Sequence, residues 1–571
     1  MDSKQEEIRS EGVEPDGKRM RDRSFFWLLL RFVQIYWRTF VVILGPLTLL
    51  PIVIINNHQM FRCLYVVMLM ALFWVTEAIP LPVTGMIPVV LYPLMGILDS
   101  SVTCACYMND TTMMFIGSLV IAVVIQNSGL HLRIAFFIIK SLGCSHRRLS
   151  LGIFFVTMFI SMWISNTAAT AMVVPIIETV LLELEAQGLG NMYIQDDTSE
   201  EEGTEPQKRP THATLVYFLS ASYASSIGGI GTVVGSGTNL TLKGIYERRF
   251  PQSPGINFAS WMLYATLPML AASFLTWLWL QIMYMGLFRP NSNDARAIDI
   301  GEQGERIATE MIKKKYKELG PMTWYETNVA VLFIIVVFLW FFRQPGFTRG
   351  WPEYITNSQV KDSTAAIALV ILLFVIPSKL DFLKSFDKDP KKRPCKPSPG
   401  LINWKTIHEK MHWSLIMVLG GGFAIAAGST SSGLSKMLGN SLTDLKALNA
   451  VAILFIVCLF AELVTELTAN VAIANIILPV LAEMCVAIRI HPLYLMLPAS
   501  LCCSFSFHLP AGTPPNAIAC AAGHVKTKDI IIAGIGPTVI TLFIISGSFA
   551  TWGTYIFDLY EFPSWAVDSH S

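Results

Sequence analysis

The feature that most constrains this chain is a set of long stretches without a single Asp, Glu, Lys or Arg. They cover residues 39–61, 78–98, 111–132, 149–177, 210–242, 250–288, 490–525 and 530–557. A helix needs ~20 consecutive apolar residues to cross the hydrocarbon of a bilayer, and most of these runs exceed that. Composition agrees: over 571 residues 53% are hydrophobic and 15% charged, whereas a soluble domain carries ~25% charged residues to cover its surface. The sequence therefore predicts an all-α polytopic membrane protein and excludes a secreted, collagenous or disordered chain. No nucleic acid is expected as a partner. The ten cysteines show no C-x-x-C spacing and lie mostly in apolar runs, as small packing residues do.

Apolar length and flanking charge place about eleven crossings near 40–55, 63–79, 81–97, 113–127, 213–245, 257–288, 326–342, 363–377, 413–428, 491–522 and 530–556. Two more apolar stretches, 149–185 and 445–490, are interrupted midway by small and polar residues and are expected to fold back as re-entrant hairpins. With both hairpins re-entrant and the N-terminus cytosolic, most of the 42 lysines and arginines lie on the cytosolic side, Lys388, Lys391, Lys392 and Arg393 among them. That is the distribution the positive-inside rule requires. The resulting layout begins with a cytosolic segment 1–38 that has no cleavable signal, followed by a first span 39–62. A first repeat 63–288 holds scaffold spans 63–127, the hairpin 149–185, a broken span 213–245 and a span 257–288. After a cytosolic linker 289–325, a second repeat 326–556 holds scaffold spans 326–428, the hairpin 445–490, a broken span 491–522 and a span 530–556. Residues 557–571 form an external C-terminus.

The repeats are legible by self-comparison. A constant offset of 304 pairs Gly117 with Gly421, Ala122 with Ala426, Ser128-Gly129-Leu130 with Ser432-Gly433-Leu434, Asn166 with Asn470 and Pro175 with Pro479. Farther on, Gly235-Ser236-Gly237-Thr238-Asn239 matches Gly512-Thr513-Pro514-Pro515-Asn516 at an offset of 277, the difference being the length of the hydrophilic insertion Gln187–Ala213. Five crossings separate the hairpins, so the copies enter the membrane from opposite faces. This is the inverted-topology architecture of secondary transporters.

Each hairpin tip carries an asparagine among small polar residues, Ser165-Asn166-Thr167 and Thr468-Ala469-Asn470-Val471, with a hydroxyl one turn upstream at Ser161 and Thr465. Each later span breaks at glycine and proline, over Gly228–Asn239 and Leu509–Pro515. A helix broken at mid-membrane frees carbonyls for a cation and aims N-termini at an anion. Taken singly such motifs can be mere caps and kinks; their recurrence in both copies points to one central polar site. Of the ionisable residues inside spans, Glu77, Glu178, Glu462, Glu466 and His508, the pair Glu462 and Glu466 lies just before the second tip and is a candidate proton or cation relay. His408-Glu409-Lys410-Met411-His412 fits the H-E-x-x-H pattern of zinc peptidases. Its downstream sequence lacks a third ligand on the same side, and the segment reads as an amphipathic lead-in helix between Trp404 and Trp413.

At these motifs, Ser-Met-Trp-Ile-Ser-Asn-Thr at 161–167, Gly420-Gly421-Gly422-Phe423-Ala424 and Thr513-Pro514-Pro515-Asn516-Ala517, the chain resembles the divalent anion/sodium symporter family of di- and tricarboxylate transporters, especially its insect I'm-not-dead-yet branch. The resemblance runs over roughly residues 40–565. It implies a plasma-membrane carrier of citrate, succinate and related carboxylates, coupled to Na+ and using no organic cofactor. It also implies a homodimer in which a mobile domain moves as an elevator against a scaffold, and it implies no enzymatic activity. By position, one cation site would comprise Ser161, Ser165, Asn166 and Gly235, the other Thr465, Thr468, Asn470 and Gly512. Substrate carboxylates would meet Ser165, Asn166, Thr167, Ser236, Asn470, Val471, Thr513 and Pro514. The chain departs from the family pattern at Ala469, where the family has Ser. Because the branch includes carriers that work without sodium, cation-independent exchange is the alternative reading.

Overall fold

The computed structural model describes residues 25–566 apart from 144, 196–207, 347, 387–388, 390–392 and 442–447. The expected N-terminal segment up to residue 24, the acidic run Glu200-Glu201-Glu202, the basic residues Lys388, Lys391 and Lys392, and the last five residues lie outside the described residues.

The described chain is almost wholly helical, and nine helices among the described residues are long and apolar enough to cross a membrane. Four shorter apolar helices accompany them: Leu81–Leu94, Asp362–Val375, Ala450–Thr465 and Pro492–Cys502. The first of these is divided at Met86 into Leu81–Gly85 and Ile87–Leu94, where Pro88 lacks the amide that the helix ladder needs. The first helix is longer than expected, Phe25–Leu49 with a short Pro51–Ile55 following. The last span runs as α-helix over Thr527–Ser548, loosens into a π-turn over Phe549–Gly553 and ends at Phe557.

Two departures correct the sequence reading. The insertion between the first hairpin and the broken span is not only linker: Tyr193–Gln195 pairs antiparallel with Lys208–Pro210, so the fold is not strictly all-α. The helix carrying His408 stops at Lys410, and His412 has φ −81° and ψ 72°. His412 therefore leaves the face that His408 occupies, and the H-E-x-x-H spacing does not become a two-histidine ligand pair.

Burial sorts the helices. His212–Gly228 is buried continuously from Thr214 to Gly228, an apolar helix with neighbours on every side. Leu29–Ile55, by contrast, is only 6% buried, and Ile35, Ile43 and Leu47 are exposed along it, as suits a lipid-facing helix. The central helix packs against the first hairpin, against Phe258–Tyr284 and against Pro514–Gly523. Elements of both repeats thus meet around it.

Candidate functional site: two matching oxygen clusters at the hairpin turns

Both hairpins turn at the expected tips. In the first, Ser145 caps His146–Ser161 by accepting from the Arg148 amide at 3.3 Å, and the second half begins at Asn166 after a turn over Met162–Ser165. In the second, Asn449 caps Ala450–Thr465 and the following half-helix begins at Asn470. The halves of each hairpin pack on one another.

The hydroxyl one turn before each tip ties the hairpin to the broken span of its own repeat. Ser161 is fully buried, with its Oγ 2.7 Å from the Ser225 carbonyl oxygen and 3.0 Å from Asn166 Oδ1. Thr465 is also fully buried, its Oγ1 2.9 Å from the Cys503 carbonyl oxygen and 3.3 Å from Asn470 Oδ1. The breaks in the spans are held by another matched pair, which the sequence motifs did not single out. Asn239 Nδ2 donates to the carbonyls of Gly229 (2.9 Å) and Thr232 (2.8 Å). Asn516 Nδ2 donates to those of Ser506 (3.0 Å) and Leu509 (3.0 Å). Every residue in the second set lies 277 positions after its counterpart. Asn239 and Asn516 end the second stretch of repeat alignment, so the signal was present; only their role was not.

The two glycines of the candidate cation sets stand where no side chain fits. A Cβ on Gly235 would lie 2.6 Å from the Gly229 oxygen, 2.8 Å from the Met162 oxygen and 3.0 Å from the Ser161 oxygen. A Cβ on Gly512 would run into Ser506 Oγ and lie 2.8 Å from the Glu466 carbonyl oxygen. Each glycine thus faces oxygens from both its hairpin turn and its span break. Uncharged oxygens converging from unwound backbone are what a hard monovalent cation needs.

The N-termini meeting here are short of caps. Ser236, Ala469 and Thr513 precede Gly237–Arg249, Asn470–Ile488 and Pro514–Gly523, and none makes a side-chain capping bond. Ser165 makes only a long one, to the Ala168 amide at 3.4 Å. Uncapped first-turn amides are a ready anion site. Pro514 and Pro515 have no amide hydrogen, so at that terminus the donors left to an anion include the Thr513 amide and hydroxyl.

The repeats touch directly. Ser236 Oγ is 2.9 Å from Thr238 Oγ1 and 3.2 Å from Ser504 Oγ, Ser222 Oγ donates to Asn516 Oδ1 at 2.5 Å, and a Cβ on Gly237 would stand 2.7 Å from Val471 Cγ2. Accessibility varies within both sets of candidates. Ser161, Gly235, Thr465, Thr468 and Gly512 are buried, whereas Ser165, Thr167, Asn470 and Val471 are half-buried and Pro514 is exposed. Asn166, Ser236 and Thr513 are buried at the boundary.

Two candidates behave otherwise than their motif suggested. Thr468 donates to the Trp74 carbonyl at 2.9 Å, so its hydroxyl hydrogen is taken by the helix Gln59–Thr76. Glu466 is a positioning residue. Its carboxylate accepts from Ser506 Oγ (2.9 Å), the Phe507 amide (2.6 Å), the His508 amide (3.1 Å) and His508 Nδ1 (3.0 Å), which fixes the loop that breaks the second span.

A family model described as the sodium:sulfate symporter transmembrane region matches residues 33–559. The chain is 45% identical over 542 residues to Protein I'm not dead yet of Drosophila melanogaster, covering 94% of this chain and 92% of that one. It is 40% identical to solute carrier family 13 member 2 of Homo sapiens (92% and 94% covered) and 37% identical to the Na(+)/citrate cotransporter of Rattus norvegicus (94% and 98% covered). The crystal structure of the Alcanivorax borkumensis YdaH transporter superposes with a TM-score of 0.49 at 12% identity, over 78% of this chain and 85% of that one. The chain belongs to the sodium:sulfate symporter family of multi-pass membrane carriers.

Proposed function

We propose that this protein is a sodium-coupled secondary carrier that imports citrate and four-carbon dicarboxylates across the plasma membrane. The observation that carries the proposal is the doubled cluster: in each repeat a hydroxyl, an asparagine and a glycine bring hairpin-turn and span-break oxygens together beside an uncapped helix N-terminus. Relatives named for citrate cotransport, similar over nearly their full length, support the substrate class.

In this reading the first sodium is held at Ser161, Ser165, Asn166 and Gly235. The second is held at Thr465, Thr468, Asn470 and Gly512, the Thr468 oxygen keeping its lone pairs for the cation while its hydrogen goes to the Trp74 carbonyl. Cations seated behind the turns make the N-termini of the half-helices more attractive to a carboxylate. The amides and hydroxyls of Ser165, Asn166, Thr167, Ser236, Asn470 and Thr513 then receive the substrate, and Val471 and Pro514 give it apolar edges. All these donors are neutral, which lets an anion bind without being trapped by a fixed positive charge. Charge neutralisation by the cations is the source of coupling. The hairpins and broken spans form the mobile domain of a homodimeric elevator, with the N-terminus cytosolic and the C-terminus external.

Ala469 favours a second reading. It precedes the half-helix that has no side-chain cap, and a serine there would both cap and donate to substrate. Without it the second cluster is the poorer one, and cation-independent exchange is the alternative. Uptake of labelled citrate and succinate into proteoliposomes decides between them. Symport predicts uptake that collapses when sodium is replaced by choline. Uptake indifferent to that replacement and dependent on carboxylate loaded inside the vesicles establishes exchange, and no uptake of either substrate removes the carboxylate reading.

A further inference from the structure

The second hairpin contains a carboxyl group that neither oxygen cluster uses. Glu462 sits on the half-helix Ala450–Thr465 and is 1% exposed, and neither of its carboxyl oxygens receives a hydrogen bond of ordinary geometry from any described residue. The groups around it come from three elements. Its own helix supplies Cys458 one turn before and Glu466 one turn after. The second broken span supplies Cys502 and Cys503, and the helix Thr527–Ser548 supplies Thr541. None of these is a cation. His508 has its Nδ1 on Glu466 at 3.0 Å. Thr541 gives its hydroxyl hydrogen to the Pro537 carbonyl at 2.8 Å, so it offers Glu462 lone pairs and no donor.

An ionised carboxylate in such a pocket would be a buried charge with no counter-ion among the described residues and only weak thiol donors beside it, and neutralisation is the usual outcome. A carboxylic acid suits the same pocket, because its O–H can donate to the Thr541 oxygen or to a cysteine sulfur. The fold does not itself demand a carboxyl group here. The equivalent position of the first hairpin, 304 residues earlier, is Met158, whose buried sulfur accepts from Ser273 Oγ at 3.0 Å.

We propose that Glu462 is a proton-binding site of the mobile domain. It takes one proton from bulk water as the second hairpin closes and returns it to water when the hairpin opens, no other bond being made or broken. The proposal rests on the carrier reading given above. It adds a third ligand, H+, at a place distinct from the substrate and sodium clusters. Closure then becomes harder as pH rises, because each closing step must draw a proton from a more dilute supply.

The test has two arms. Infrared spectra of the purified protein in lipid at neutral pH are expected to show a protonated-carboxyl band, shifted in D2O, that is lost in Glu462→Gln. Glu462→Met, which installs the residue of the first hairpin, is expected to lose it too and serves if the glutamine variant folds poorly. Spectra unchanged by either substitution overturn the proposal. In the second arm, initial uptake is followed across a pH range where the substrate stays fully ionised. Wild-type uptake is expected to fall as pH rises, and Glu462→Gln is expected to lose that dependence; an identical profile in both proteins also overturns the proposal. The infrared arm does not need transport, so failure of the carrier reading shows up as absent uptake with the band still present.

Discussion

Substituting Gly235 with alanine probes the first oxygen cluster at its tightest point. The added methyl carbon would stand 2.6, 2.8 and 3.0 Å from three carbonyl oxygens, one from the span break and two from the hairpin turn. These oxygens belong to backbone, so no side chain can swing away, and the turn and the break must separate by several tenths of an ångström. Overpacking of this kind costs ~1–3 kcal/mol. If that strain is relieved by spreading the oxygens, it is charged against cation binding, and at ~1.4 kcal/mol per decade it weakens the site roughly fivefold to 150-fold. The assay is sodium activation of citrate uptake in cells, normalised to surface protein, with Gly547→Ala as the reference. Gly547 has nothing within 4 Å of the position a Cβ would take, so that variant is expected to match wild type. Gly235→Ala with wild-type sodium activation and wild-type maximal uptake would refute the assignment of these oxygens to a cation.

Asn166→Ala and Asn470→Ala should each abolish or severely reduce uptake at near-normal surface expression, because a lost hydrogen bond to a charged group costs ~1.5–3 kcal/mol, or roughly tenfold to 150-fold in affinity; labelled-citrate uptake checks this. Asn239→Ala takes the side-chain donor from the Gly229 carbonyl and one of two donors from the Thr232 carbonyl, which keeps the Gly235 amide, at ~1–3 kcal/mol for the orphaned group. It should lower thermal stability in detergent as well as sodium affinity, since the Gly229 oxygen also faces Gly235. Ala469→Ser should lower the apparent KM for substrate and steepen sodium dependence in a symporter, whereas in an exchanger uptake stays sodium-independent. The double change of His408 and His412 to Gln should leave uptake within about twofold, as exposed substitutions usually do.

The parts of this molecule that repeat were the parts the sequence made legible. Runs without charge gave the membrane class and most span positions, and the offset of 304 marked both tips because Asn166 and Asn470 survive in both copies. The hydrogen bonds of Asn239 and Asn516 were hidden although the residues were aligned, because a side-chain amide reaching back to two loop carbonyls has no local sequence pattern. The anchoring bonds of Glu466 were hidden for a different reason. Its donors, Ser506, Phe507 and His508, lie forty residues on, so nothing near Glu466 in the chain distinguishes an anchoring carboxylate from a relay. Thr468 sat in the right motif, yet Trp74 of a distant helix accepts from it. The strand pair Tyr193–Gln195 with Lys208–Pro210 brackets an acidic stretch whose composition reads as linker throughout.

Reciprocal binding to the purified protein tests the central claim most directly. If sodium and carboxylate share one coupled site, sodium must raise citrate affinity and citrate must raise sodium affinity by the same factor. Equilibrium binding of labelled citrate at several sodium concentrations, and of labelled sodium at several citrate concentrations, measures both sides. The account predicts equal factors well above one in the wild type and a factor near one in Asn166→Ala. Citrate binding that is unchanged between sodium and choline in the wild type would contradict it.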